Sequence, residues 1–411
     1  MKILMVLHQL DPATPGGVES HVLDTGRELA RRGHDVHLLA GSAGTEPSHA
    51  ASLVDLPLTV LVRRPVAPGL SRFFSTVVDA DLDRRFDAEV ARLAPDLVHV
   101  HHFMYLSMGM LGVLERRGIP CVCTVHDHAL FCHRLFLWTG HATACSGPGA
   151  GFRCGPCNRG AGVGGVLSAP VYALRNALAA RWARRMPLVL SPTRYLADFC
   201  VRHGLPADRV RVLELGVPAA SRVARREGAR PVRFGFAGTL RPHKGAHVLL
   251  EAFELLDRGL AELVLYGDLS LEPDYGVRIE KLANAGGVRL ERPFERTELD
   301  RILAGLDCVV IPSLAAENAP LLARECLARG VPVLASRIGG LPEVAAEGRG
   351  VRYFPAGDVA ALASLLEGYA AEPGRLDRLA ADASPPATLE AHVTELEGIY
   401  ARMGPGSVIR G

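Results

Sequence analysis

Short apolar runs alternate with helix-length stretches along this chain, and the alternation occurs in two separate series. The first series opens with an apolar run at 3–7. A loop at 11–17 follows, then a helix at about 18–32 closed by Gly33, and a strand at 35–40. Leu97–Val100 and 120–125 read as later strands of the same series. The second series has strands at Val232–Ala237, 263–266, Cys308–Ile311 and 333–335. Alternation of this kind predicts α/β domains with parallel sheets and right-handed crossovers. Such sheets bind ligands outside the carboxyl ends of their strands. Gly16, Gly17, His101 and His126 all follow strands, so all are expected on the rim of the first sheet. Residues 219–230 are rich in Ala and Arg, lack an apolar period and read as a linker. The expected organisation is a first domain at 1–216 with a cysteine-rich insertion at about 130–165, a second domain at 217–386, and a final helix and loose tail at 387–411. Two or three domains suit 411 residues.

Composition removes several classes of function. The net charge of +2 gives no reason to invoke nucleic acid. No window approaches the roughly 18 to 20 apolar residues of a membrane span. The apolar start is too short for a secretory signal core and fits a buried strand. A cytoplasmic chain with reduced cysteines, unless they bind metal, is the expectation. One basic, part-apolar segment begins near Ala169 and ends in Arg181-Trp-Ala-Arg-Arg185. It reads either as a solvated outer helix or as a peripheral contact with an anionic inner membrane face.

The residues that carry chemistry concentrate in the second series. Glu317 and Glu325 stand with seven residues between them, in a frame of strand, loop, helix, loop and strand over 307–333. Pro320 suits a first helical turn, and Gly330 with Pro332 stops the helix. Free N–H groups of the first helical turn form a cradle for anionic phosphate, with Asn318, Ala319, Pro320 and Leu321 as the segment lying against it. Two acids so spaced cannot serve one scissile atom, but they can hold the two ends of a long ligand. Upstream, Phe234-Gly-Phe-Ala-Gly238 runs into a loop carrying Arg241 and Lys244 before a helix near Gly245. The chain has only three lysines, Lys2, Lys244 and Lys281. A Lys kept at this loop suits contact with a diphosphate. The glycines of Ile338-Gly-Gly-Leu-Pro-Glu343 permit close backbone approach, and Glu343 reads as structural. Asp358, in Phe354-Pro-Ala-Gly-Asp358, is expected to cap the next helix.

These motifs resemble the E-x7-E region of family-4 glycosyltransferases, which use nucleotide-diphosphate sugars. The two-domain pattern resembles the GT-B architecture, two Rossmann-like domains facing a central cleft with a last helix crossing back to the first. The resemblance covers most of the chain. It implies a retaining transfer without a catalytic metal. Lys244, with Arg241 and the helix start, would stabilise the leaving phosphate. Glu317 would grip a donor-sugar hydroxyl, and Glu325 the ribose. One position departs from the family: the usual Arg after the loop Gly is Thr239 here, so Arg241 is the substitute cation.

Pro15-Gly-Gly-Val-Glu19 looks like the family's Gly-Gly loop, and Gly16 and Gly17 allow close approach of a ligand. In Thr124-Val-His-Asp-His128 the resemblance assigns His126 to the donor sugar, and Asp127 is the candidate to orient or deprotonate the acceptor. His99, His101 and His102 sit at a neighbouring strand end as acceptor-side candidates, with one or more of them expected to be merely packed or solvated. Cys132, Cys145, Cys154 and Cys157 crowd a segment, 138–165, with little periodicity. A four-thiolate structural zinc fits this best, with His133 and His141 as reserve ligands; free thiols on an acceptor loop and a redox pair remain alternatives. The other five cysteines lie in apolar strands or helices and read as core. The expected function is therefore transfer from a nucleotide-diphosphate sugar to a glycan, lipid-linked or natural-product acceptor. A nucleotide-sugar epimerase of the same architecture and a non-catalytic binding module are the rival readings.

Overall fold

The computed structural model describes residues 1–10, 16–42, 54–64, 70–140, 142–160, 162–224, 231–257 and 259–403. Loop residues 11–15, the end of the linker at 225–230, His141 and the tail at 404–411 therefore lie outside the described residues. The chain divides into two compact units, one formed by Met1–Pro218 with Ala387–Gly411 and one by Ala219–Pro386.

The first unit is built on a parallel sheet of β1 (Lys2–Leu7), β2 (Asp35–Ser42), β3 (Leu58–Val62), β4 (Leu97–Val100), β5 (Cys121–Thr124), β6 (Val189–Ser191) and β7 (Val210–Val212). Their order is β3-β2-β1-β4-β5-β6-β7. Residues 3 to 7 of β1 are fully buried. A strand covered on both faces reads as a continuous apolar run, which is why it was legible in sequence. The helix Leu389–Arg402 packs on this sheet: Leu389, Val393, Leu396 and Tyr400 share a core with Ile3, Met5 and Leu97. Thr388 caps that helix by accepting from the Ala391 N–H at 3.2 Å.

The second unit holds β8 (Val232–Ala237), β9 (Ala261–Tyr266), β10 (Arg289–Glu291), β11 (Cys308–Ile311), β12 (Val333–Ser336) and β13 (Val351–Phe354), in the order β10-β9-β8-β11-β12-β13. All pairings are parallel. Asp358 caps the helix Val359–Ala371, accepting from the Ala361 N–H at 2.9 Å.

The structure adds five strands that the sequence patterns did not announce: β3, β6, β7, β10 and β13. Three of them span only three residues, too few for a period to show. Two corrections concern helices. Pro320 is not in a first turn; it is the extended cap residue, with ψ 113°, before the helix Leu321–Ala328. The long basic helix runs over Val163–Ala183, starting six residues before the expected Ala169.

Candidate functional site

In each sheet the strand order reverses at one point, between β1 and β4 and between β8 and β11. Loops leaving two such strands diverge to opposite sides and open a crevice at their carboxyl ends. Gly16 and Gly17 follow β1, His101 and His102 follow β4, His126 and Asp127 follow the adjacent β5, Lys244 follows β8 and Glu317 follows β11.

In the second unit, Lys244 ends a short 3-10 turn, Pro242–Lys244, after β8. Glu317 lies on the loop after β11. The two loops are tied by their backbones: the His243 carbonyl accepts from the Leu314 N–H at 2.8 Å and the Ala315 N–H at 3.3 Å. Gly245 has φ +72°, and a Cβ there would stand 1.9 Å from the Pro312 carbonyl oxygen, so only glycine allows this approach. The junction brings Lys244 Nζ to 2.6 Å from Glu317 Oε1. Ser313 Oγ donates to the same oxygen at 2.8 Å. From the other side Gly340 N–H donates to the Glu317 carbonyl at 2.7 Å. Gly339, with φ +58°, packs so closely that a Cβ would lie 2.3 Å from that carbonyl oxygen. Burial alone would raise the Glu317 pKa, but the Lys244 ammonium and the Ser313 hydroxyl outweigh it and hold the carboxyl below the usual range. The expected pair of Lys244 and Glu317 is thus one ion pair, and Ser313 completes it. Ser313 was visible only as the Ser of the Pro-Ser dipeptide after the strand.

Glu325 is buried on the helix Leu321–Ala328. Arg296 donates to its Oε1 from Nη2 at 2.7 Å and from Nε at 3.1 Å. Nothing local in the sequence pointed to Arg296, which lies 29 positions away. Asn318 is buried, while Ala319, Pro320 and Leu321 are half-buried along the loop into the helix. Arg241 shares the Lys244 loop, yet its nearest recorded acid is Glu272 at 3.9 Å, and its side chain is 41% exposed. It stands outside the Lys244–Glu317 pair. A separate hollow of about 450 Å3 in this unit includes Arg233, Ala261 and Arg289, at the amino ends of β8, β9 and β10. That is the wrong end of a parallel sheet for a substrate site.

In the first unit, Gly16 caps the helix Gly17–Arg31 and both glycines are exposed. The buried Glu19 accepts from Gln9 Nε2 at 3.2 Å and lies 3.4 Å from His8 Nε2. His101 Nδ1 and His126 Nε2 are 3.1 Å apart, and His102 Nε2 lies 3.2 Å from Asp127 Oδ2. Asp127 Oδ1 also accepts from the Ala129 N–H at 2.7 Å, so Asp127 both caps its loop and holds a histidine. His99 is a core residue: its ring nitrogens meet Tyr400 Oη at 2.6 Å and Thr124 Oγ1 at 2.7 Å. Burial, reinforced by His102, lowers the His126 pKa to about 3. Burial opposes ionisation of Asp127, but His102 and the Ala129 N–H hold it below the usual carboxylate range. At neutral pH, then, a neutral His126 stands beside an ionised Asp127. His101, His102, His126 and Asp127 share the wall of a cavity of about 240 Å3.

The cysteine segment lies between β5 and β6. Among the described residues, no three His, Cys, Asp or Glu side chains are grouped to hold a metal ion. Cys132 and Cys145 pack against the apolar core. Burial pushes the Cys132 thiol up to about 11 and raises that of Cys154, which favours the protonated forms. Cys154 and Cys157 lie in the helix Cys154–Arg159. The four thiols nonetheless come within electrostatic reach of one another, Cys132 of Cys145 and Cys154, and Cys154 of Cys145 and Cys157. Close backbone packing also orders the segment. A Cβ at Gly155 would lie 2.4 Å from the Gly165 carbonyl oxygen, so the two helices approach through their glycines.

Comparison with known proteins follows the same two-part division. The family described as Glycosyltransferase Family 4 matches residues 15–221, and Glycosyl transferases group 1 matches 231–371. A D-inositol 3-phosphate glycosyltransferase of Xylanimonas cellulosilytica is 30% identical, covering 92% of this chain and 88% of the relative. A glycogen synthase of Mycobacterium tuberculosis is 26% identical over the same shares. Among solved structures, Anabaena HepE in complex with UDP and glucose aligns with TM-score 0.70 at 18% identity, over 98% of this chain and 99% of that one. Sucrose-phosphate synthase of Thermosynechococcus elongatus aligns with TM-score 0.71 at 18% identity, over the same shares.

Proposed function

The chain belongs to glycosyltransferase family 4 and has the GT-B architecture, and from that premise we propose that it moves a sugar from a nucleoside-diphosphate donor to an acceptor hydroxyl with retention at the anomeric carbon. The 2.6 Å contact of Lys244 with Glu317 at the β8–β11 switch point carries this reading. Breaking the bond from the anomeric carbon to the diphosphate leaves negative charge on the phosphate. Lys244 and the first-turn N–H groups of the helix Leu321–Ala328 are assigned to that charge. Lys244 and Ser313 both occupy Glu317 Oε1, so Oε2 is the oxygen assigned to a donor-sugar hydroxyl. Arg296 engages Glu325 through Oε1, and the Glu325 carboxylate is assigned to the ribose hydroxyls. Retention follows the family expectation: the acceptor oxygen attacks from the face the phosphate leaves, and its proton passes to that phosphate. In the first unit, the His126–Asp127 end of the cavity is assigned to the acceptor and the sugar it receives.

The named activities of the two relatives differ in what receives the sugar, so family membership does not choose the acceptor. The UDP and glucose held by HepE make UDP-glucose the first donor to try. The test incubates the protein with labelled UDP-, GDP-, ADP- and TDP-sugars without acceptor. Slow hydrolysis of one donor, abolished in Glu317→Gln, is expected. Isomerisation of the sugar without hydrolysis would assign an epimerase instead.

A peripheral membrane contact is also proposed, on the outer face of the helix Val163–Ala183. Val163, Val166, Leu167 and Leu174 recur at helical spacing on that face and are 60–75% exposed. Arg181 and Arg184 are exposed at its end. An apolar stripe with a basic end suits an anionic bilayer surface. Among the described residues no helix is long and apolar enough to cross a membrane.

A further inference from the structure

The cavity in the first unit contains a charge that the reaction outlined above does not use. Arg175 lies on the inner face of the helix Val163–Ala183 and is only 7% exposed. Its Nε donates to Thr76 Oγ1 at 3.1 Å and its Nη1 to Asn176 Oδ1 at 3.2 Å. Both partners are neutral. The Thr76 hydroxyl spends its own proton on the Phe73 carbonyl at 2.7 Å, so it is oriented to accept. Among the described residues, the ionisable groups that interact with Arg175 are Cys132, Cys154, Tyr172 and His133, none of them a carboxylate. Among the described residues Asp127 is the one carboxylate lining the cavity, and it is engaged by His102. The other lining arginine, Arg63, faces Asp79 at 3.5 Å. Much of the remaining wall is apolar, including Phe103, Met104, Met108, Leu130 and Met186.

A buried guanidinium without a counter-ion is costly and is not kept for stability. Its five N–H groups suit a phosphate or carboxylate, and two of them serve the neutral partners. We propose that Arg175 is the anion subsite of the acceptor pocket, binding a phosphate or carboxylate on an acceptor whose body packs against the apolar wall. Assigning the cavity to the acceptor rests on the function proposed above; the anion site itself does not.

The test is calorimetric titration of the full chain with hexyl phosphate, inorganic phosphate and hexan-1-ol, on the wild type, Arg175→Met and Arg175→Lys. Hexyl phosphate is expected to bind more tightly than inorganic phosphate, and hexanol not measurably. Arg175→Met is expected to lose about ten- to hundredfold in hexyl phosphate affinity, the scale of one charge-assisted hydrogen bond. Arg175→Lys should keep part of it. The melting temperature of Arg175→Met should equal or exceed that of the wild type, which a structural arginine would not allow. Displacement of hexyl phosphate by phosphatidic acid vesicles would assign the anion to a lipid; retention would assign it to a soluble acceptor. Equal hexyl phosphate binding by wild type and Arg175→Met overturns the proposal, as does a wild type that binds neither phosphate. UDP titrated into the same samples tests the donor reading separately, since Arg175 lies in the other unit.

Discussion

Lys244, Ser313 and Glu317 form a unit in which one carboxylate oxygen takes two hydrogen bonds. Removing the ammonium removes both the proposed phosphate contact and the partner of a mostly buried acid. Lys244→Ala is therefore expected to lower kcat by about 100-fold, in line with loss of one preorganised charge-stabilising contact. It should also destabilise the fold by about 1–3 kcal/mol, because the buried Glu317 carboxylate is left under-satisfied. Steady-state kinetics and denaturant melts check the two effects separately. Glu325 makes a different prediction. Glu325→Gln should weaken nucleoside diphosphate binding by about tenfold, roughly one charge-assisted hydrogen bond, yet leave inorganic pyrophosphate binding unchanged. Equal loss for both ligands would place Glu325 at the phosphates. Glu317 and Glu325 were legible in sequence because they share one strand–loop–helix frame, and Lys244 because it stands in another. The pairings were not. Lys244 and Glu317 lie 73 positions apart and Arg296 lies 29 from Glu325, so the strand order, not local spacing, brings them together.

Loops and helices carry their own consequences. Gly339→Ala would put a Cβ on a left-handed residue and 2.3 Å from the Glu317 carbonyl oxygen. A cost of roughly 1–3 kcal/mol is expected from the strained backbone alone, with loss of activity as Glu317 is displaced. Gly348→Ala has the same sign of φ, +85°, but nothing within 4 Å of the added atom. It should destabilise less and spare activity, and parallel melts and assays compare the two. On the helix Val163–Ala183, the paired change Leu167→Glu and Leu174→Glu should abolish sedimentation with anionic vesicles while leaving the melting temperature unchanged. Unaltered sedimentation would remove the membrane proposal. Strands β1, β8 and β11 were readable as fully apolar or nearly apolar buried runs, whereas β6, β7 and β10 are too short to show a period. The glycines of 138–165 read in sequence only as a lack of periodicity, whereas Gly155 and Gly165 serve a close helix-to-helix approach.

Across the whole molecule, buried imidazoles set a dependence on acid. Burial, helped by neighbouring His102, lowers both His8 and His126 to about 3. Burial, with Lys244 alongside, lowers His243 to about 4. Unfolded histidine takes up its proton near 6.5, so between about pH 6.5 and 3 the unfolded chain binds more protons than the folded one. Stability must then rise with pH across that window and fall on acidification, by up to about 1.4 kcal/mol per pH unit for each such group. Asp127, held below the usual carboxylate range by His102 despite its burial, adds its own loss only below about pH 4. The melting temperature should drop steadily from pH 7 to pH 5, and the drop should be shallower in His8→Asn. The division into two parallel-sheet units was readable from the repeated alternation of strands and helices. The return of the helix Leu389–Arg402 to the first unit rests on packing of Val393, Leu396 and Tyr400 that no local pattern displays.

The most direct measurement is calorimetric titration of the purified protein with UDP, GDP, ADP and TDP, repeated on Lys244→Ala. At least one nucleotide should bind the wild type at a single site, and the variant should bind it at least about tenfold more weakly. A wild type that binds none of the four, or a Lys244→Ala variant that binds as tightly as the wild type, would contradict the assignment of the β8–β11 switch point to the donor.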